Sequence, residues 1–146
     1  MAFVNINNSF RGGDDEYKRV VDKIEKDGVC PFCPGHLVYH KNSILAEGDF
    51  WLVTDNSFPY KGAKHHILFI HKEHIENIKD LSNDAWSELF DMVKSETKKR
   101  GIEGGTFFIR FGNTSYTGAT VSHLHANIVS PDADNPNREP IIARVG

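Results

Sequence analysis

His123-Leu124-His125-Ala126-Asn127-Ile128-Val129 is the stretch that decides how this chain is read. Taken with a period of two it is a strand, with Leu124, Ala126 and Ile128 on one face and His123, His125 and Asn127 on the other. One face suits a core; the other carries two imidazoles and an amide in a row. Side chains two apart on a strand stand roughly 6.6 Å apart at a rise of roughly 3.3 Å per residue, so neighbours on that face can reach one substrate centre together. A lone histidine is ordinarily a satisfied core or surface residue. Two on one strand face, followed by an amide, make a candidate site.

Working outward, 146 residues with 39% apolar and 25% charged content describe one soluble globular domain with room for a core. A formal charge of −3 argues against nucleic-acid polymers and membranes, both of which want a basic face. No apolar run approaches the roughly 20 residues of a membrane span, and nothing resembles a signal peptide. Cys30 and Cys33, the two cysteines, lie too close together to staple a fold, and a cytoplasmic protein is the natural reading. Six of the eight histidines fall between His36 and His74.

Residues 1–12 lack any period and read as a loose arm. A packing helix follows from Asp14. Asp14, Asp15 and Glu16 suit its N-terminus, Tyr17, Val20, Val21 and Ile24 form its stripe, and Gly28 ends it. Cys30-Pro31-Phe32-Cys33-Pro34-Gly35-His36 comes next. A C-x-x-C can be half of a zinc site, a redox pair, or two small buried residues. Pro31 and Pro34 speak against the helix start that the redox reading needs. Zinc requires two further ligands, supplied locally by His36 and His40 or from a distance by His66, His74 and His123.

Short strands follow. Ser43–Glu47 and Phe50–Thr54 flank Gly48-Asp49 as a hairpin with a two-residue turn. The loop from Asp55 to Pro59 places polar groups at a strand end. His66–His71 is a nearly all-apolar strand, expected in the centre of its sheet. Ser82 caps a helix whose buried stripe is Trp86, Leu89, Phe90 and Val93, ending at Gly101. Thr106–Phe111 is the fourth strand and His123–Val129 the fifth. Between them, the Asn113–Thr120 loop offers hydroxyls and backbone N–H groups to an anion without adding positive charge.

In order, then, come the C-x-x-C, the strand and turn from Ala63 to His74, a loop containing Asn113 and Gly118, and H-x-H-x-N. Residues 30–131 therefore resemble the histidine-triad (HIT) superfamily of nucleotide hydrolases and transferases. The resemblance implies an α+β fold: a five-stranded antiparallel sheet with a long helix after the third strand, usually paired into a homodimer. An N-terminal arm and extra helix (residues 1–29) and a tail (132–146) lie outside it. It also implies that His125 is a nucleophile attacking the α-phosphorus of a nucleotide or dinucleoside polyphosphate. His66, Asn127 and Thr120 would serve beside it, with Thr120, Asn127 and the Asn113–Gly118 backbone (Asn113, Ser115, Thr117, Gly118) holding the phosphate, and Asp55 or Asn56 the ribose. A structural Zn2+, one per chain, would be bound by Cys30, Cys33, His74 and His123.

Departures from the family pattern matter here. Asn127 stands where the hydrolases have a third histidine, and an amide steadies a phosphate without shuttling a proton. Ala119 stands where they often have Gln. Both lean toward transfer, phosphorolysis or slow hydrolysis. A nucleotide-binding module without turnover is the alternative reading. His65 and His71, unusual for the family, keep His36 and His40 open as local zinc ligands.

Overall fold

The computed structural model describes residues 2–9 and 15–146. Its elements are α1 (Asp15–Asp27), β1 (Ile44–Glu47), β2 (Trp51–Asp55), β3 (Ala63–His71), α2 (Asn83–Lys99), β4 (Thr106–Arg110), a one-turn helix α3 (Thr114–Thr117) and β5 (His125–Pro131). The fold is α+β. All five strands join one antiparallel sheet in the order β1-β2-β3-β5-β4. The apolar run of β3 is central, as its composition requires, and β5 lies beside it with Leu68 opposite Asn127 and Ile70 opposite His125.

The period-two pattern of β5 divides the molecule. Leu124, Ala126 and Ile128 enter one core with Trp51, Val53, Ile67, Phe69 and Leu89 of α2. The opposite face carries His125 and Asn127. There α1 supplies a second cluster, in which Tyr17, Val21 and Ile24 pack with Val4. The ladder of β5 begins at His125, two residues later than the sequence pattern suggests. Before it, the Leu124 carbonyl still accepts the His71 N–H, but the Leu124 N–H goes to the Ile75 carbonyl, and the regular ladder stops there.

Three local expectations are corrected. Residues 2–9 are not loose. Val4 is buried and bridges to Val121, the Asn5 N–H donates to the Thr120 carbonyl, and Ser9 is buried. Asp14 and residues 10–13 lie outside the described residues. Phe90 does not join the α2 stripe: it is 48% exposed, beside Trp86 and Phe107 at the β4 edge, while Ala85 and Glu96 are buried in its stead. The hairpin turn is displaced by one residue, because the Gly48 N–H donates to the Trp51 carbonyl and puts Asp49-Phe50 at the tip. Among the described residues no helix is long and apolar enough to cross a membrane.

That displacement has a cause on α2. The Glu88 carboxylate accepts the N–H groups of Asp49, Phe50 and Trp51 at 2.7, 2.8 and 2.9 Å. A Cβ on Gly48 would lie 2.5 Å from its Cδ, so only glycine leaves room for this nest. Glu88→Ala is expected to cost about 2 kcal/mol, since orphaned backbone donors lose their partner. A shift of the urea midpoint at unchanged slope measures it; an unmoved midpoint contradicts the role.

Candidate functional site

A cavity of about 870 Å³ opens on the sheet face that carries His125 and Asn127. Tyr17 and Val21 of α1, Phe32 of the C-x-x-C loop, Leu68 of β3 and Gly118 of the loop before β5 are among its walls. α1 is thus part of the site and not packing alone.

Backbone groups decide which nitrogen each imidazole offers. His125 Nδ1 lies 2.7 Å from the carbonyl of His123, and a carbonyl can only accept. Nδ1 therefore holds the proton in the neutral ring and Nε2 the lone pair. The acceptor belongs to the same segment, two residues back, and not to a neighbouring strand. At His66 the logic reverses. The Tyr60 N–H donates to Nδ1 (3.1 Å), so Nε2 carries the proton and donates to Asn127 Oδ1 (3.0 Å). The amide is thereby turned. Asn127 Nδ2, on a residue 3% exposed, is buried with no hydrogen-bond partner among the described residues. A buried unpaired donor in a cavity wall is costly and marks a place for an acceptor.

The loop before β5 behaves otherwise than its composition suggests. Asn113 caps α3, with its Oδ1 accepting the Ser115 N–H at 2.9 Å. The N–H groups of Tyr116, Gly118 and Ala119 go to the Asn113 carbonyl, the Thr114 carbonyl and Thr117 Oγ1. Thr120 accepts from the Tyr17 hydroxyl at 2.7 Å and donates to the Asn8 carbonyl at 3.1 Å. Asn8 Nδ2 in turn binds the carbonyls of Thr114 and Ala119. The expected donors of the loop are spent internally, and Asn113, Ser115 and Thr117 shape it without lining the cavity; Gly118 and Thr120 do line it. Asn56 is in the wall, 3.3 Å from His66 Nε2. Asp55 is elsewhere: its carboxylate is 2.6 Å from Arg100 Nη1, beside the buried Glu96 on the helix side.

Cys30, Cys33, His74 and His123 bring their ligand atoms within 4.8 Å of one another. The Sγ···Nδ1 separations are 3.3 Å (Cys30–His123), 3.4 Å (Cys33–His74) and 3.6 Å (Cys33–His123). A tetrahedral zinc with ordinary Zn–S and Zn–N bonds has S···N edges of roughly 3.5 Å, so the donor set fits. The proton placement fits too. His123 Nε2 donates to the His71 carbonyl and His74 Nε2 to Glu76 Oε1 (3.1 Å), leaving both Nδ1 atoms for a metal. Burial pushes the His123 pKa down to about 4, so the ring is neutral. Burial pushes the Cys30 thiol up to about 12; an anion there calls for a cation beside it. His36 and His40 do not join the cluster. His36 Nδ1 meets the Cys30 carbonyl, and His40 is held between Thr54 and Ser57, with burial lowering its pKa.

Residues 30–141 match the family model described as "Scavenger mRNA decapping enzyme C-term binding". That match spans most of the chain and carries the H-x-H-x-N strand. The chain belongs to the histidine-triad superfamily. An uncharacterised HIT-like protein of Chlamydia muridarum (strain MoPn / Nigg) is 30% identical over 86 residues, covering 57% of this chain and 66% of the relative. A HIT family hydrolase of Clostridium thermocellum superposes with a TM-score of 0.54 at 26% identity, over 74% of this chain and 95% of the other. A histidine triad nucleotide-binding protein of Candida albicans shares the fold, with a TM-score of 0.59 at 20% identity over 80% and 86%.

Several residues of this HIT site escaped the reading of the sequence: Asn8, Tyr17, Tyr60, Arg110 and Arg144. Asn8, Tyr17, Arg110 and Arg144 meet partners more than 100 residues away or backbone carbonyls, and Tyr60 acts through its main-chain N–H, so no local pattern announces them. Phe32 is the exception that a pattern could have found, as the residue enclosed by the C-x-x-C. Its ring stands edge-on to His125 with centroids 5.1 Å apart, and to His123 at 6.1 Å. The C-x-x-C loop is therefore one wall of the cavity.

Protein purified without added metal is expected to carry about one zinc per chain, and Cys33→Ser to lose most of it together with thermal stability. Phe32→Ala should keep the metal yet weaken ligand binding in the cavity. Metal analysis, a melting curve and a nucleotide titration measure the three effects. Both thiols freely titratable in metal-free folded protein would overturn the assignment.

Proposed function

We propose that this protein is a nucleotide hydrolase or nucleotidyltransferase that works at the α-phosphorus of a nucleotide or dinucleoside polyphosphate through a covalent nucleotidyl-histidine. The observation that carries the proposal is the orphaned Nδ2 of Asn127, buried in the cavity wall two residues along the same strand face from His125. It is a donor set where a phosphoryl oxygen gains charge.

His125 Nε2 gives its lone pair to the α-phosphorus, and the bond from phosphorus to the leaving oxygen breaks with its electron pair. The nucleotidyl ring becomes an imidazolium. Its Nδ1–H already points at the His123 carbonyl, a bond that strengthens as the ring becomes cationic. Water, or another acceptor such as inorganic phosphate, then attacks phosphorus. The P–N bond breaks, the imidazole leaves neutral, and the acceptor's proton goes to solvent. Asn127 Nδ2 serves the phosphoryl oxygen in both steps. His66 touches no reacting atom; it is a positioning residue that keeps the amide oxygen turned away from the substrate. Asn56, in the cavity wall, would hold the nucleoside. Cys30, Cys33, His74 and His123 would hold a zinc ion, which would supply stability and take no part in the phosphate chemistry. Reduced thiols suit a cytoplasmic protein.

The quaternary state belongs to the same reading. β4 is at the sheet edge, and Phe107 on it is 37% exposed beside Phe90 of α2. An edge strand with aromatic cover of this kind suits pairing with a second copy. Sedimentation at micromolar concentration should give a dimer, and Phe107→Asp a monomer; a monomeric parent contradicts it.

His125→Ala is expected to abolish both turnover and the adduct, which mass spectrometry detects at the mass of one nucleotidyl group. Asn127→Ala should slow adduct formation about 10²–10³-fold, the scale for losing one donor to a developing oxyanion. Asn127→His should raise the share of product that goes to water relative to added phosphate. Parent-like turnover by His125→Ala contradicts the mechanism. Tight nucleotide binding with no adduct under any condition would select a binding module.

A further inference from the structure

Of the donors that the loop was expected to lend a phosphate chain, the N–H groups of Ser115, Tyr116, Gly118 and Ala119 are spent inside the loop, and the Thr120 hydroxyl goes to the Asn8 carbonyl. What replaces them is visible on β4 and on the segment after β5. Arg110 pairs with His125 across the sheet, so its side chain starts on the same face as the imidazole. Both residues line the cavity, and so does Arg144, carried back to the loop by residues 141–146. Arg110 Nε donates to the Thr117 carbonyl (3.0 Å), and its Nη2 to the Arg144 carbonyl (2.7 Å). Arg144 Nη1 donates to the Asn7 carbonyl (3.2 Å). Carbonyls hold the two guanidinium groups in place without neutralising them, and neither makes an ion pair among the described residues. Gly118 makes the approach possible, since a Cβ there would meet Arg144 Cγ and its carbonyl at 3.1 Å.

The cavity's charge is lopsided. Lys61, Arg110 and Arg144 are in its walls, and no aspartate or glutamate is, among the described residues of a chain whose net charge is −3. One phosphoryl group at His125, already served by Asn127, does not call for two uncompensated arginines. A chain of phosphates does.

We propose that Arg110 and Arg144 form a leaving-group subsite that binds the phosphates beyond the α-phosphorus. The preferred substrates are then nucleoside polyphosphates, with or without a second nucleoside, over nucleotides whose leaving group is uncharged. This rests on the reading of His125 as the attacking residue.

The test compares kcat/KM for a nucleoside triphosphate and a dinucleoside triphosphate with that for a 5′-phosphoramidate of the same nucleoside. Parent, Arg110→Gln, Arg110→Lys and Arg144→Gln are measured alongside a calorimetric titration with inorganic tripolyphosphate. Each Gln variant should lower the polyphosphate-to-phosphoramidate ratio about tenfold or more, the worth of one charge-assisted hydrogen bond. Each should weaken tripolyphosphate binding to a similar degree. Arg110→Lys, which keeps the charge, should restore most of the ratio. Equal loss on all substrates would make the arginines struts for the loop and overturn the subsite, as would unchanged tripolyphosphate affinity. If the parent turns over no substrate, the catalytic reading fails, and the titration alone decides. Tripolyphosphate binding that falls in the Gln variants sustains the subsite, and absent or unaltered binding overturns it.

Discussion

Two backbone carbonyls decide what the two histidines at the head of β5 are for. His71 takes the Nε2 proton of His123, leaving Nδ1 to face the thiols of Cys30 and Cys33. The carbonyl of His123 takes the Nδ1 proton of His125, so the lone pair sits on Nε2. The same side chain, two residues apart, thus presents opposite nitrogens to different chemistries. The division depends on where the sheet ends: Leu124 still accepts the His71 N–H in register, but its own N–H goes to the Ile75 carbonyl, and Gly112, which would face His123 from β4, donates to Glu76 instead. A straight continuation of β5 through His123 would commit the His123 carbonyl elsewhere and leave His125 without its tautomer.

The cluster of Cys30, Cys33, His74 and His123 and the cavity are consequently not separate devices. They share His123, whose ring is in one and whose carbonyl serves the other, and they share Phe32, edge-on to both imidazoles. Ordering the C-x-x-C loop orders a wall of the cavity. The opposite wall is closed by α1 and residues 2–9, through the Tyr17–Thr120 hydroxyl pair and the amide of Asn8. The loop before β5 is fixed from both sides before any ligand arrives, which lowers the ordering cost of binding.

The fold was legible because its signal is local. Alternation in β5, the apolar run in β3, the Ser82 cap and the Gly28 terminator each depend on residues within a few positions, and the structure keeps all four. The cluster of Cys30, Cys33, His74 and His123 was reachable through the HIT resemblance, not through spacing, since His36 and His40 satisfied the spacing equally. What stayed hidden is set by contacts across more than a hundred residues, such as Asn8 with Thr114 and Ala119. Asp55 shows what the resemblance leaves open. It offered Asp55 or Asn56 for the ribose; alternation along β2 turns Asp55 to Arg100, at the far end of α2, while Asn56 is in the cavity wall. Thr120 is similar, because whether a hydroxyl donates outward depends on which acceptor is near it.

Asn127 links the strand that carries His125 to the orientation of its neighbours. In place of a third imidazole, the chain has an amide whose two ends are not interchangeable, since one accepts and the other donates. His66 removes that ambiguity by donating to Oδ1, and the Tyr60 N–H removes the corresponding ambiguity in His66. A main-chain donor therefore determines, through two side chains, that the group offered to the cavity is an N–H and never a lone pair. Such an amide can stabilise charge on a phosphoryl oxygen but has no proton of its own to lend or take. An amide so oriented is suited to steps in which the leaving group departs as a stable anion, which is what the terminal phosphates of a polyphosphate do.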